Sequence, residues 1–230
     1  MNDDMRLEVR QAARRLIIMS LVIVGAMLVV SAWGWMRLPA GAKIPVHWGL
    51  TGQVDAVGGK AYGLLWAPVF AVLLTALMLG FLVVPRSATV ARSTKAYVAV
   101  STAGLAILLG THILTVAVAV GSKINVPGAV VAMVGAMFAV MGNYMGKMRR
   151  NRWMGIRTPW TRANEQVWDK THRLGGKLFM GLGLVLFVVG LSGIRPEAIL
   201  TVLLAGTLGL TAVVYVYSYV VWRGEAERSR

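Results

Sequence analysis

Six long apolar blocks leave this chain few ways to fold. They lie at about 16–36, 62–84, 96–120, 127–146, 178–194 and 198–222. A helix that crosses a bilayer needs about 20 mostly apolar residues. Several blocks exceed the length of a soluble core helix, and none contains an acidic residue. They are apolar all round rather than striped, so one buried face does not explain them. Only 14% of the residues are charged, against about one-quarter in a soluble domain. The expected fold is all-α: a polytopic membrane bundle of six transmembrane helices. A short interfacial amphipathic helix is expected between spans four and five. The first block ends on Trp33, Trp35 and Met36 without a small-residue cleavage site, so it reads as a retained span and not a signal peptide.

The formal charge is +15. Topology accounts for it. With the amino terminus placed in the cytoplasm, nineteen of the 24 Lys and Arg residues fall on the cytoplasmic side and five outside. That is a strong positive-inside bias. Direct nucleic-acid binding is therefore not required. The expected location is the bacterial cytoplasmic membrane, with both termini inside and the lipid bilayer as the surrounding partner. Cysteine is absent, which excludes disulfides and thiolate metal sites.

The chain divides into residues 1–120 and 121–230, each with three spans. Residues 1–15 read as a polar tail and 85–95 as a cytoplasmic loop without a recognisable motif. Span five reads as about seventeen residues, starting near 178. Small residues such as Gly142, Gly146, Gly206 and Gly209 read as helix-packing positions, and no repeat is expected. The spans hold no carboxylate, so a coupled pump finds little support. His112 is the one ionisable side chain clearly inside a span. It reads either as a proton or ligand site or as a neutral imidazole bonded to a neighbouring helix. Intramembrane protease signatures are absent, and no enzyme activity, metal or cofactor is expected.

Two loops carry motifs. The outer loop, 37–61, spells P-x-HW-x(3)-G-x(2)-D-x(4)-K from Pro45 through His47, Trp48, Gly52 and Asp55 to Lys60. Its prolines and glycines argue against helix; the IPVHW piece reads as extended and Leu50–Gly52 as a turn. His47 and Asp55 are too few for a closed zinc site. They read as a hydrogen bond that holds the loop, or as part of a ligand-binding surface. The cytoplasmic loop, 147–177, holds a cluster of basic residues, then GIRTPWT and VWDKTHRLGGK. Thr158 or Thr161 is placed to cap a short helix. Asn164, Val167, Trp168, Thr171 and Leu174 share one helical face. Gly175-Gly176 is expected to end that helix before span five. The segment reads as a docking platform or as a device that packs under the bundle and returns the chain to the membrane.

The string GNYM…GIRTPWT…VW-x-KTHRLGGK resembles the signature of the SdpI family of bacterial membrane proteins. The outer motif resembles a domain of unknown function that commonly forms the amino-terminal half of such proteins. The resemblance covers about Arg37 to Arg195. It implies immunity to a secreted toxic peptide, and signalling in which the toxin-bound protein holds a transcriptional repressor at the membrane. Carried onto this chain, a secreted antimicrobial peptide would meet Pro45, His47, Trp48, Gly52, Asp55 and Lys60. A cytoplasmic repressor would meet Asn143, Arg157, Thr158, Pro159, Trp160, Trp168, Lys170, Thr171, His172, Arg173, Gly175, Gly176 and Lys177. The alternative is a small transporter or facilitator for a peptide or amphiphile, motivated by six spans, many glycines and His112.

Overall fold

The computed structural model describes residues 3–49, 51–83, 93–151 and 153–228. Six long helices dominate them: α1 Asp3–Arg37, α2 Lys60–Val83, α3 Thr94–Ala119, α4 Val126–Met145, α6 Glu165–Leu191 and α7 Pro196–Arg228. A short helix, α5 Pro159–Ala163, precedes α6. Between α1 and α2 sits an antiparallel hairpin of β1 Lys43–Trp48 and β2 Val54–Gly59. All six long helices have the length and apolarity to cross a membrane.

Their outward faces are greasy. Leu21, Val22 and Val29 of α1, Leu77 of α2, Val188 of α6 and Leu208 of α7 are all well exposed. Apolar surface on this scale has no aqueous solution and is solvated by lipid. The protein is a multi-pass membrane protein. Successive long helices run antiparallel, as the contacts Ser31–Leu64, Met78–Tyr97, Ser93–Arg149, Gly142–Gly176 and Lys170–Glu225 require. The hairpin joins α1 to α2 at one end, here the hairpin end. Both described termini and α5 lie at the other, the tail end.

Helix α1 begins at Asp3 and not near residue 16, so residues 3–15 are no loose tail. Val9, Ala12 and Leu16 continue the buried face of Ile23 and Met27, and Asp3 and Asp4 favour the positive helix start. Most of the loop expected at 85–95 lies outside the described residues, as do Leu50 of the expected turn and Arg152 of the basic cluster.

The fifth span also differs from expectation. Gly175-Gly176 ends nothing: α6 runs unbroken from Glu165 to Leu191. The expected interfacial helix is therefore α5 together with the first turns of α6. A glycine inside a helix costs about 1 kcal/mol against alanine, and close packing offsets it. A Cβ on Gly176 would lie 2.8 Å from the Gly142 carbonyl oxygen of α4. The same holds two turns on and four turns on. Gly128, Gly135 and Gly142 of α4 recur at intervals of seven and face Gly190, Gly183 and Gly176 of α6 in antiparallel order. A seven-residue interval keeps one seam facing the partner helix, and small residues let membrane helices approach backbone to backbone. The seven-residue spacing of these glycines is present in the sequence, but only the facing helix shows that it forms a seam.

Candidate functional site

At the hairpin end, Ile44 anchors β1. Its side chain is fully buried with Leu64 and Val116, under Gly63, where a Cβ would collide with it. Pro45 is also buried. The strand register shifts on both sides of His47, and such irregularities re-aim a side chain. His47 Nδ1 then lies 2.6 Å from Asp55 Oδ1, with 69% and 50% of the two side chains exposed. Gly52, at φ +85°, closes the tip and rests against Pro127 at the start of α4. Trp48 is half-buried. Lys60 is pinned: its Nζ donates to the Leu38 carbonyl at 2.5 Å and sits 4.9 Å over the Trp35 ring. It stabilises the carbonyl end of α1 and is not a free cation at the tip. Of the six motif residues, His47 and Asp55 form the outward-facing pair.

At the tail end, Trp168 and His172 stand one helical turn apart with their rings stacked 3.9 Å between centroids. The Trp168 indole N–H donates to the Met148 carbonyl at 2.8 Å. The Ile156 amide donates to His172 Nε2 at 2.9 Å. That nitrogen must then be unprotonated, so Nδ1–H donates to the Trp168 carbonyl at 2.8 Å. His172 is a neutral staple between loop and helix. Gly155, at φ +98°, has no room for a Cβ beside His172 Nε2. Thr161 Oγ donates to the Ile156 carbonyl at 2.7 Å, and Thr158 caps α5. Asn164 caps α6, accepting from Gln166 and Val167 amides. Trp160 meets the rings of Tyr215, Tyr219 and Trp222 on α7.

The tail-end motif is thus mostly internal wiring. Thr158, Trp168, Thr171, His172, Gly175 and Gly176 are buried within the protein, so a partner at the surface does not touch them in this conformation. Asn143, Arg157, Pro159, Lys170, Arg173 and Lys177 are exposed, Trp160 is half-buried, and Lys170 pairs with Glu225 at 2.6 Å. The face expected from Val167, Trp168 and Thr171 is present, turned inward.

Between the ends lies a network without a motif. Pro68 sits inside α2 and has no N–H for the Leu64 carbonyl four residues earlier. The Ser31 hydroxyl of α1 replaces it, donating to Leu64 O at 2.7 Å. Ser31 has one proton, so its oxygen accepts at 2.9 Å from Nε2–H of His112 on α3. Of the two readings of His112, the interhelical hydrogen bond is present. His112 Nδ1 is left as a bare acceptor with no partner among the described residues.

Comparison with known proteins matches two separate segments of the chain. Residues 147–219 match the SdpI/YfhL protein family, and residues 22–72 match a domain of unknown function, DUF1648. The first segment contains the tail-end wiring and the second contains the hairpin. The chain is 25% identical over 175 residues to the Immunity protein SdpI of Bacillus subtilis (strain 168), spanning 75% of this chain and 80% of that protein. No solved structure matches the chain significantly. The chain therefore carries a segment similar to the SdpI/YfhL family, preceded by a segment similar to DUF1648.

Proposed function

We propose that this protein gives its host immunity to a secreted toxic peptide, and that it works by binding and not by catalysis. The observation that carries this reading is the similarity to an immunity protein across three-quarters of the chain. The hairpin is the proposed peptide-facing surface. It projects His47 and Asp55 outward on a strand anchored by buried Ile44, and the charge asymmetry of the loops favours the cell exterior for it. The finer proposal is that the tail end signals by holding a cytoplasmic repressor. Support for it is a basic exposed set, Arg157, Arg162, Arg173 and Lys177, held on a rigid frame by the Trp168–His172 wiring. Signalling then requires that the peptide bind two bundle arrangements with different affinity.

The test is expression in a toxin-sensitive host challenged with candidate secreted peptides. Protection that disappears when His47 and Asp55 are both changed to alanine, with insertion intact, is the expected result. Unchanged killing by every peptide, with the protein correctly inserted, would overturn the immunity reading.

A further inference from the structure

A cavity of about 450 Å³ lies between the two halves of the bundle, beneath β1. Its wall includes Trp48, Trp66, Thr115, His112, Val131 and Leu200. The volume falls in the range of small-molecule sites, about 300–1,000 Å³. It does not admit a folded helix, which is about 10–12 Å across with its side chains. The lining is mainly apolar. Two rim residues, Tyr62 and Trp66, are each 52% exposed and start a stacked row that ends at Phe70. A ligand entering past that row comes from the lipid phase.

The one unusual feature of the wall is His112. It is only 2% exposed, and its Nδ1 is buried without a partner among the described residues. A buried polar atom left unpaired is costly, and such exceptions call for an explanation. The direction of the missing bond is already fixed. Pro68 leaves the Leu64 carbonyl free, and Ser31 has two carbonyls in reach of its one proton, Leu64 O at 2.7 Å and Met27 O at 2.9 Å; with that proton on either carbonyl, the Ser31 oxygen accepts from His112 Nε2–H. Nδ1 can therefore accept and cannot donate.

We infer that this cavity binds a single-chain amphiphile from the bilayer whose hydroxyl or amide N–H donates to His112 Nδ1. The apolar chain fills the space between Val131, Leu200 and Trp66; Nδ1 is closed off from the cavity in this conformation, so the His112 ring turns toward the cavity to meet the donor. The inference does not depend on the immunity reading.

The test uses the full chain in lipid nanodiscs with ¹⁵N-labelled histidine and two probes of equal chain length, 1-decanol and decyl methyl ether. Only the alcohol donates a hydrogen bond. At matched mole fraction in the bilayer, decanol is expected to move one histidine Nδ1 resonance saturably. The ether is expected to bind roughly tenfold more weakly, the scale of one unpaired buried acceptor. That resonance should be missing from His112→Phe. Leu200→Trp fills the cavity without touching His112 and should abolish the decanol response while the resonance remains. Equal effects of alcohol and ether, no movement with either, or an intact decanol response in Leu200→Trp would each overturn the inference.

Discussion

Gly135 of α4 and Gly183 of α6 stand backbone to backbone. A Cβ built on Gly183 would lie 2.5 Å from the Ala139 amide nitrogen and 2.6 Å from the Gly135 carbonyl oxygen. These are backbone atoms, so no side-chain rotation relieves the contact, and α4 and α6 must separate to admit even one methyl. Gly183→Ala is expected to destabilise the protein by about 1–3 kcal/mol, the scale of overpacking, and Gly183→Leu by more. Gly25→Ala, where a Cβ meets nothing within 4 Å, serves as the neutral control. Unfolding in detergent or bicelles reads the difference; equal stability of Gly183→Ala and Gly25→Ala would remove the seam as a determinant.

The bond from Ser31 to the Leu64 carbonyl exists because Pro68 withholds the helical donor. Ser31→Ala is expected to cost about 0.6 kcal/mol, and at most about 1.7, as interhelical hydrogen bonds in membranes do. Pro68→Ala restores an N–H to α2, so the Ser31→Ala penalty should shrink in that background. A double-mutant cycle measures the coupling. Strict additivity would mean that proline and serine do not share the carbonyl.

His172 holds Ile156 to α6 through one accepted hydrogen bond. His172→Phe keeps a ring to stack on Trp168 and strands the Ile156 amide, at a cost of about 1–3 kcal/mol if it stays buried. The expected readout is faster limited proteolysis between 149 and 157, with the helices of the bundle intact. An unchanged cleavage rate would show that the loop is held elsewhere, for example by Trp168 and Met148.

The His47–Asp55 pair is mostly exposed, and such pairs contribute about 0–1 kcal/mol. Replacing both by alanine should leave unfolding nearly unchanged while removing protection against the peptide. Gly52→Val, which forces a β-branched residue to φ +85° beside Pro127, should distort the hairpin. If both variants lower stability alike, the pair is structural.

The chain has no cysteine, so single cysteines report topology cleanly. Thr51→Cys at the hairpin tip is expected to react with an impermeant maleimide on intact cells. Arg157→Cys should react only after permeabilisation. Labelling of both from one side would remove the two-faced arrangement on which peptide sensing and repressor docking rest.

The length of the apolar blocks located the six helices because twenty apolar residues have one low-energy arrangement in lipid. It missed where they begin. Residues 3–15 look polar, yet Val9 and Ala12 bury along α1. Likewise, Gly175-Gly176 has the composition of a stop and the position of a contact. A glycine pair reads the same whether it ends a helix or lets another helix approach; only the facing Gly142 tells them apart. The GIRTPWT and THRLGGK strings were legible as a motif. Their role as mutual hydrogen-bond partners was not, because Ile156 and His172 lie sixteen residues apart and their meeting depends on the return of the chain beneath the bundle.

The sequence alone determined that this chain lives in a bilayer as six helices, since hydrophobic length is a local property of the chain. It also determined which loops are basic, because charge is counted without coordinates. Tertiary structure alone decided that Trp168 and His172 face inward, that Lys60 is tied to Leu38, and that His112 keeps one stranded nitrogen beside a cavity. Each of those outcomes depends on which atom of a distant segment comes within about 3 Å, and hydrogen bonding and close packing act only at that range.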